Sequence, residues 1–225
     1  MRHIRGLLFD FDGLVLETEA PAFQSWHEVY EVHGGLLSLE SWARVLGGTG
    51  REIDHIAELE RIAGFKLDGE TIYRGRLERK QALCDKQEIL PGVMDYITEG
   101  IERGFKLAIV SSSPHEWVDR YLTRLGLMND FDTVVCGEDG ARAKPYPDLY
   151  ERALADLGLG ADEAIAFEDS PNGITAAQAA GIFCVAVPNA VSARFSTEHA
   201  DLKLGSLADM RLGELVRRAD LGHSG

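Results

Sequence analysis

Short apolar runs recur along the chain, and most of them end abruptly on a polar or turn-forming residue. Gly6-Leu7-Leu8-Phe9 stops at Asp10, Lys106 through Val110 at Ser111-Ser112-Ser113, and Thr133 through Cys136 at Gly137. Ala164-Ile165-Ala166-Phe167 stops at Glu168-Asp169, and Phe183 through Val187 at Pro188. Runs that are continuously apolar, not alternating, suit strands buried on both faces of a parallel sheet.

Helical patterns lie between these runs. Ser113-Pro114-His115-Glu116 offers a hydroxyl cap, a proline at the first helical position and a glutamate after it. Trp117, Val118, Tyr121, Leu122 and Leu125 then repeat at helical spacing, and Gly126 can close the helix in the left-handed conformation. Ser170-Pro171 starts another helix and Gly181 follows it; Pro147 opens a third, with Leu149, Tyr150, Ala153, Leu154 and Leu157 on one apolar face. Strands alternating with helices predict an α/β fold with a doubly wound parallel sheet.

One stretch breaks the alternation. Between Glu17 and Lys86 no strand can be read, while Trp26, Val29, Tyr30, Ile53, Ile56, Ala57, Leu77 and Ala82 fit helices. The chain therefore divides into an α/β core over residues 1–16 and 88–225 and a helical insert over 17–87, with Leu90-Pro91-Gly92 as the return hinge.

Composition narrows the function. The 225 residues carry 23 Lys and Arg against 37 Asp and Glu, a net charge of −14. A nucleic-acid binder needs a basic face, so that class is set aside. No segment reaches the roughly 18 apolar residues of a membrane span, and Asp10 and Asp12 interrupt the apolar N-terminal stretch that could pass for a signal sequence. Cys84, Cys136 and Cys184 are widely spaced and read as buried hydrophobes in a reducing compartment. The expectation is a cytoplasmic monomer without an obligate protein partner.

The chemistry sits where the strands end, because the carboxyl edge of an open α/β sheet forms its binding crevice. Asp10, Asp12, Ser111, Lys144, Glu168 and Asp169 would all converge there. Such a set suits phosphoryl transfer: a carboxylate nucleophile, a hydroxyl and a lysine for the phosphate, and carboxylates that need Mg²⁺ to bridge them to an anion. Taken singly, each residue has a plain structural reading as a turn, cap or surface charge; the convergence favours chemistry.

Four segments carry a resemblance. Asp10-Phe-Asp-Gly-Leu-Val-Leu-Glu-Thr-Glu, Val110-Ser-Ser-Ser-Pro114, Lys144-Pro-Tyr-Pro-Asp148 and Phe167-Glu-Asp-Ser-Pro-Asn-Gly173 resemble, in order, the motifs of the haloacid dehalogenase-like phosphotransferases. The resemblance implies a Rossmann-like core with a small helical cap after the first strand. It implies Asp10 as nucleophile and metal ligand. Asp12 would be general acid and base, with its main-chain carbonyl on the metal. Asp169 would be a metal ligand, Glu168 either a ligand or a carboxylate that supports the ligands from behind, and Ser111, Ser112 and Lys144 phosphate binders.

The resemblance also bears on the substrate. Ala22 stands where the family's sugar-phosphate mutases carry histidine, and Pro114 where they tend to have lysine; the run SSSP looks more like the sugar-phosphate phosphatases. Glu17 replaces a usual aspartate. Gly47-Gly-Thr-Gly-Arg51 resembles a segment that closes over substrate, so Arg51, and with it Lys80, could meet an anionic ligand. The expected activity is a Mg²⁺-dependent phosphatase on a small phosphorylated metabolite, a sugar phosphate by this resemblance, working through an aspartyl-phosphate. The alternatives are a β-phosphoglucomutase-like phosphotransferase, a dehalogenase and a phosphorylation-switched receiver protein.

Overall fold

The structure is a computed structural model that describes residues 3–46 and 54–221. Its centre is β1 (Gly6–Phe9), whose four residues are all buried, as a strand flanked on both faces requires. Helices α1 (Glu19–Val32), α2 (Leu39–Leu46), α3 (His55–Ala63) and α4 (Gly69–Cys84) follow, and then α5 (Val93–Glu102). The alternation resumes with β2 (Lys106–Val110), α6 (His115–Leu125), β3 (Thr133–Val135), α7 (Asp148–Leu157), β4 (Ala164–Glu168), α8 (Pro171–Ala179) and β5 (Phe183–Ala186), and closes with β6 (Leu202–Lys203) and α9 (Leu212–Leu221).

The six strands form one parallel sheet in the order β3-β2-β1-β4-β5-β6. β1 pairs with β2 on one side and β4 on the other, Phe9 lying level with Ile109 and Phe167. The strand order reverses at β1, so the residues just past Phe9 stand over the middle of the crevice. One core layer packs Leu7, Phe9, Ile109 and Phe167 against α5, α6 and α9; the other packs Leu8, Ala108, Val110 and Ala166 against α7 and α8.

Among the described residues, the stretch between β1 and α5 contains helices and no strand. It has its own apolar cluster of Ala22, Trp26, Tyr30, Leu37, Trp42 and Leu59, joined by Val191 from the loop after β5. Arg79 of α4 grips Glu28 of α1 with two hydrogen bonds of 2.7 and 2.8 Å. The returning chain is tied beside the exit: Leu16 bridges Ile89, and the Leu90 amide donates to the Val15 carbonyl at 3.0 Å.

Two sequence expectations change. β6 was not foreseen, because only two residues pair, in register with Val185 and Ala186. Ser113 does not cap α6: Pro114 takes the cap position, the Ser113 hydroxyl turns to Asp12, and the Glu138 carboxylate accepts the His115 amide. Cys84, Cys136 and Cys184 are buried free thiols. No helix among the described residues is long and apolar enough to cross a membrane.

Candidate active site

Asp10 leaves β1 still in register, its amide donating to the Phe167 carbonyl at 3.0 Å. Phe11 then turns into the core and is fully buried. The residues on either side of it, Asp10 and Asp12, are therefore left at the crevice. The chain turns sharply at Gly13, whose φ is +83°. A Cβ at that position would lie 2.5 Å from both Asn189 Nδ2 and Asp169 Oδ2, so only glycine fits between the two loops.

Glu168 ends β4 fully buried and Asp169 follows it at 4% exposure. Lys144 enters from the loop before α7. Its ammonium contacts Asp10 Oδ1 and donates to Glu168 Oε1 at 2.6 Å and to the Val110 carbonyl at 2.7 Å. The Tyr150 hydroxyl, from α7, donates to the same Glu168 oxygen. Glu168 Oε2 is buried and has no hydrogen-bond partner among the described residues. Asp169 Oδ2 accepts from Asn189 Nδ2 at 2.7 Å.

One carboxylate oxygen from each of Asp10, Glu168 and Asp169 lies within 4.8 Å of the others. Burial pushes the Asp10 carboxyl well up; Lys144 opposes this, and Glu168 reinforces it. Burial likewise raises Asp169, with Asp10 and Glu168 adding to the effect. On Lys144 burial works against the charge, but Asp10 and Glu168 outweigh it and hold the ammonium protonated. Three buried carboxylates around one ammonium leave negative charge uncompensated. With an orphaned carboxylate oxygen and only oxygen donors, the group fits a hard divalent cation.

Asp12 faces the other way. Its Oδ1 accepts from the Thr18 hydroxyl at 2.8 Å and the Trp117 indole at 2.9 Å; its Oδ2 accepts from the Ser113 hydroxyl at 2.6 Å and, more weakly, Ser111 at 3.4 Å. Asp10, Asp12, Ser111, Ser112, Lys144 and Asp169 all line one cavity of about 290 Å³, together with Ser113, Glu19, Lys80, Asn172 and Phe195. Glu168, fully buried, does not line it. Ser112 is exposed there and accepts the Lys144 amide at 3.3 Å. Glu17 caps α1, accepting the Glu19 and Ala20 amides at 2.8 and 3.0 Å. Arg51 lies outside the described residues, as does the rest of Gly47–Arg51.

His115 is turned from this cavity, with Nε2 2.7 Å from Asp139 Oδ2. Asn189, Trp117, Tyr150 and Thr18 were missed as site residues. Asn189 has a strand-end position a little beyond β5, the same signal that marked the acids. Trp117 and Tyr150 were read as apolar helix faces, and periodicity says nothing about where an N–H or O–H points.

The sequence profile of the haloacid dehalogenase-like hydrolases matches residues 7–187. The Bacillus subtilis protein YhcW is 38% identical over 213 residues, spanning 95% of this chain and 96% of the relative. The fructose-1-phosphate phosphatase YqaB of Escherichia coli is 31% identical over 184 residues, 81% of this chain and 95% of its own. Among solved structures, CbbY from Rhodobacter sphaeroides in complex with xylulose-(1,5)-bisphosphate superposes with a TM-score of 0.73 at 30% identity, covering 92% of this chain and 96% of that one. The chain belongs to the haloacid dehalogenase-like hydrolases.

Proposed function

We propose that this protein is a Mg²⁺-dependent phosphatase that releases inorganic phosphate from a small phosphorylated sugar through an aspartyl-phosphate on Asp10. Its place among phosphoric monoester hydrolases follows from its family and from relatives that are named as phosphatases. The observation that carries the rest is Asp10 itself: a buried carboxylate at the centre of the carboxyl edge, held by Lys144 and opening onto a cavity of about 290 Å³.

In this reading an Asp10 oxygen attacks phosphorus, and Asp12 gives a proton to the leaving oxygen. Asp12 then takes a proton from the water that opens the acyl-phosphate. Ser111, Ser112 and Lys144 bind the phosphate oxygens. Asp10, Glu168 and Asp169, with the Asp12 main-chain carbonyl, would hold Mg²⁺, which would supply charge to offset both the carboxylates and the phosphate. The helices over 17–87 serve as a lid on the core of 1–16 and 88–225, and Arg51 is the lid residue assigned to the distal part of the substrate. A sugar is favoured because one relative is named for fructose 1-phosphate and another was solved with xylulose-(1,5)-bisphosphate. The cavity wall, rich in serines and including Glu19 and Lys80, suits a polyhydroxylated body.

The test is a panel of sugar phosphates with Mg²⁺, reading released phosphate and any isomerised sugar phosphate, run beside Asp10→Asn. Wild type should release phosphate stoichiometrically with substrate lost. Folded Asp10→Asn should lose roughly a thousandfold or more in kcat, since an amide cannot form the acyl-phosphate. Isomerised sugar phosphate in place of free phosphate would select the mutase alternative.

A further inference from the structure

Asp12 is held by donors of two kinds. Three are hydroxyls, from Thr18, Ser111 and Ser113, and a hydroxyl can rotate to another acceptor. Ser111 and Ser113 line the cavity beside Asp12, where a phosphate would compete for their hydrogens. The fourth donor is the Trp117 indole N–H, which cannot rotate independently of its ring and cannot accept.

That ring is fixed from two sides. It packs edge-on to Tyr121, with centroids 4.7 Å apart at 65°, and Tyr121 is fully buried in the core. Lys80 of α4 places its ammonium 4.1 Å from the ring centroid on the face of the indole. Trp117 stands in the first turn of α6, a few residues past the end of β2, so its direction is set by the sheet.

The two oxygens of Asp12 are therefore not equivalent. Oδ1 is pinned by the indole, whereas Oδ2 meets only the two cavity serines. We propose that Trp117 is a positioning residue that fixes Oδ1, so that Oδ2 is the oxygen that carries the proton. On this account the proton moves from Oδ2 to the leaving oxygen as its bond to phosphorus breaks. It is replaced on Oδ2 by a proton from the water whose oxygen forms the new bond to phosphorus. The inference rests on the reading of Asp12 as general acid and base.

The experiment compares wild type, Trp117→Phe and Asp12→Asn on phenyl phosphate, a poor leaving group, and 2,4-dinitrophenyl phosphate, a good one. Phenylalanine keeps the ring against Tyr121 and removes the N–H. Trp117→Phe should lower kcat about tenfold on phenyl phosphate and less than about twofold on the dinitrophenyl ester, with KM little changed. Asp12→Asn should show the same preference, more strongly. Equal losses on both esters for Trp117→Phe, or none, would overturn the inference while leaving Asp12 in place. No preference in Asp12→Asn would overturn the Asp12 reading, and the inference with it. Should Trp117→Phe not fold, the ¹H–¹⁵N signal of the Trp117 indole decides: a marked shift in Asp12→Asn supports the contact, and an unmoved signal overturns it.

Discussion

Glu19 lines the cavity, one carboxylate oxygen enclosed and without a hydrogen-bond partner among the described residues. Burial, and after it the Asp12 carboxylate, pushes its pKa from 4.5 up to about 7, against the pull of Lys80 and Arg76. An acid whose folded pKa is raised binds its proton more tightly folded than unfolded. Its charge thus costs nothing below pH 4.5, and the cost grows until the pH passes about 7. In chelator-treated protein, Glu19→Gln should be more stable than wild type at pH 8 by roughly 2 kcal/mol, or about 4–8 °C in Tm. The gap should close toward pH 5. A gap of equal size at both pH values, read by thermal denaturation, would mean that the titration is not its cause.

At the scale of the element, α8 shows how local signals and close packing combine. Ser170 accepts the Gly173 amide at 3.2 Å and Pro171 fills the first helical position, as the Ser-Pro pair leads one to expect. Gly173 has a second reason to be glycine: a Cβ there would stand 1.8 Å from Glu168 Oε2, and Glu168 is held in place by Lys144 and Tyr150. Gly173→Ala should cost about 1–3 kcal/mol and lower kcat by displacing Glu168. Gly75, inside α4 with nothing within 4 Å of a Cβ, is the control. Gly75→Ala should stabilise by roughly 0.5–1 kcal/mol without touching activity. Denaturant midpoints and phosphate release of the two variants check both statements. α6 teaches the opposite lesson. Its Ser-Pro start looks the same in sequence, yet its serine is drawn away by Asp12, a partner 101 positions distant.

For the molecule as a whole, charge decides the sign of metal dependence. A chain of net charge −14 gathers three buried carboxylates within 4.8 Å and sets one buried ammonium among them. A dication that binds the folded state and not the unfolded one must stabilise it by mass action. Millimolar Mg²⁺ should therefore raise Tm by several degrees, about 2–4 °C per kcal/mol at this size, and exhaustive chelation should remove that gain together with phosphate release. Replacing Asp169 with Asn should abolish the Mg²⁺-dependent rise in Tm. Activity that survives chelation in full would refute the metal reading.

Much of this protein was legible along the chain because burial is written locally. A strand covered on both faces must be apolar throughout, and a crevice acid must break that run, so β1, β2, β4 and β5 and their polar ends could be read directly. The helices between β1 and α5 were legible from their 3.6-residue spacing. What tertiary structure decided is direction and partnership. That Asn189 meets the carbonyl of Gly13 across 176 positions, and Trp117 meets Asp12 across 105, depends on the strand order and on the sheet's placing β1 between β2 and β4. Residues read as an apolar helix face turned out to hold the acids through a single N–H or O–H. Hydrophobicity patterns record which side of an element is buried; a hydrogen bond depends on where two distant backbones have come to rest, to within a few tenths of an ångström.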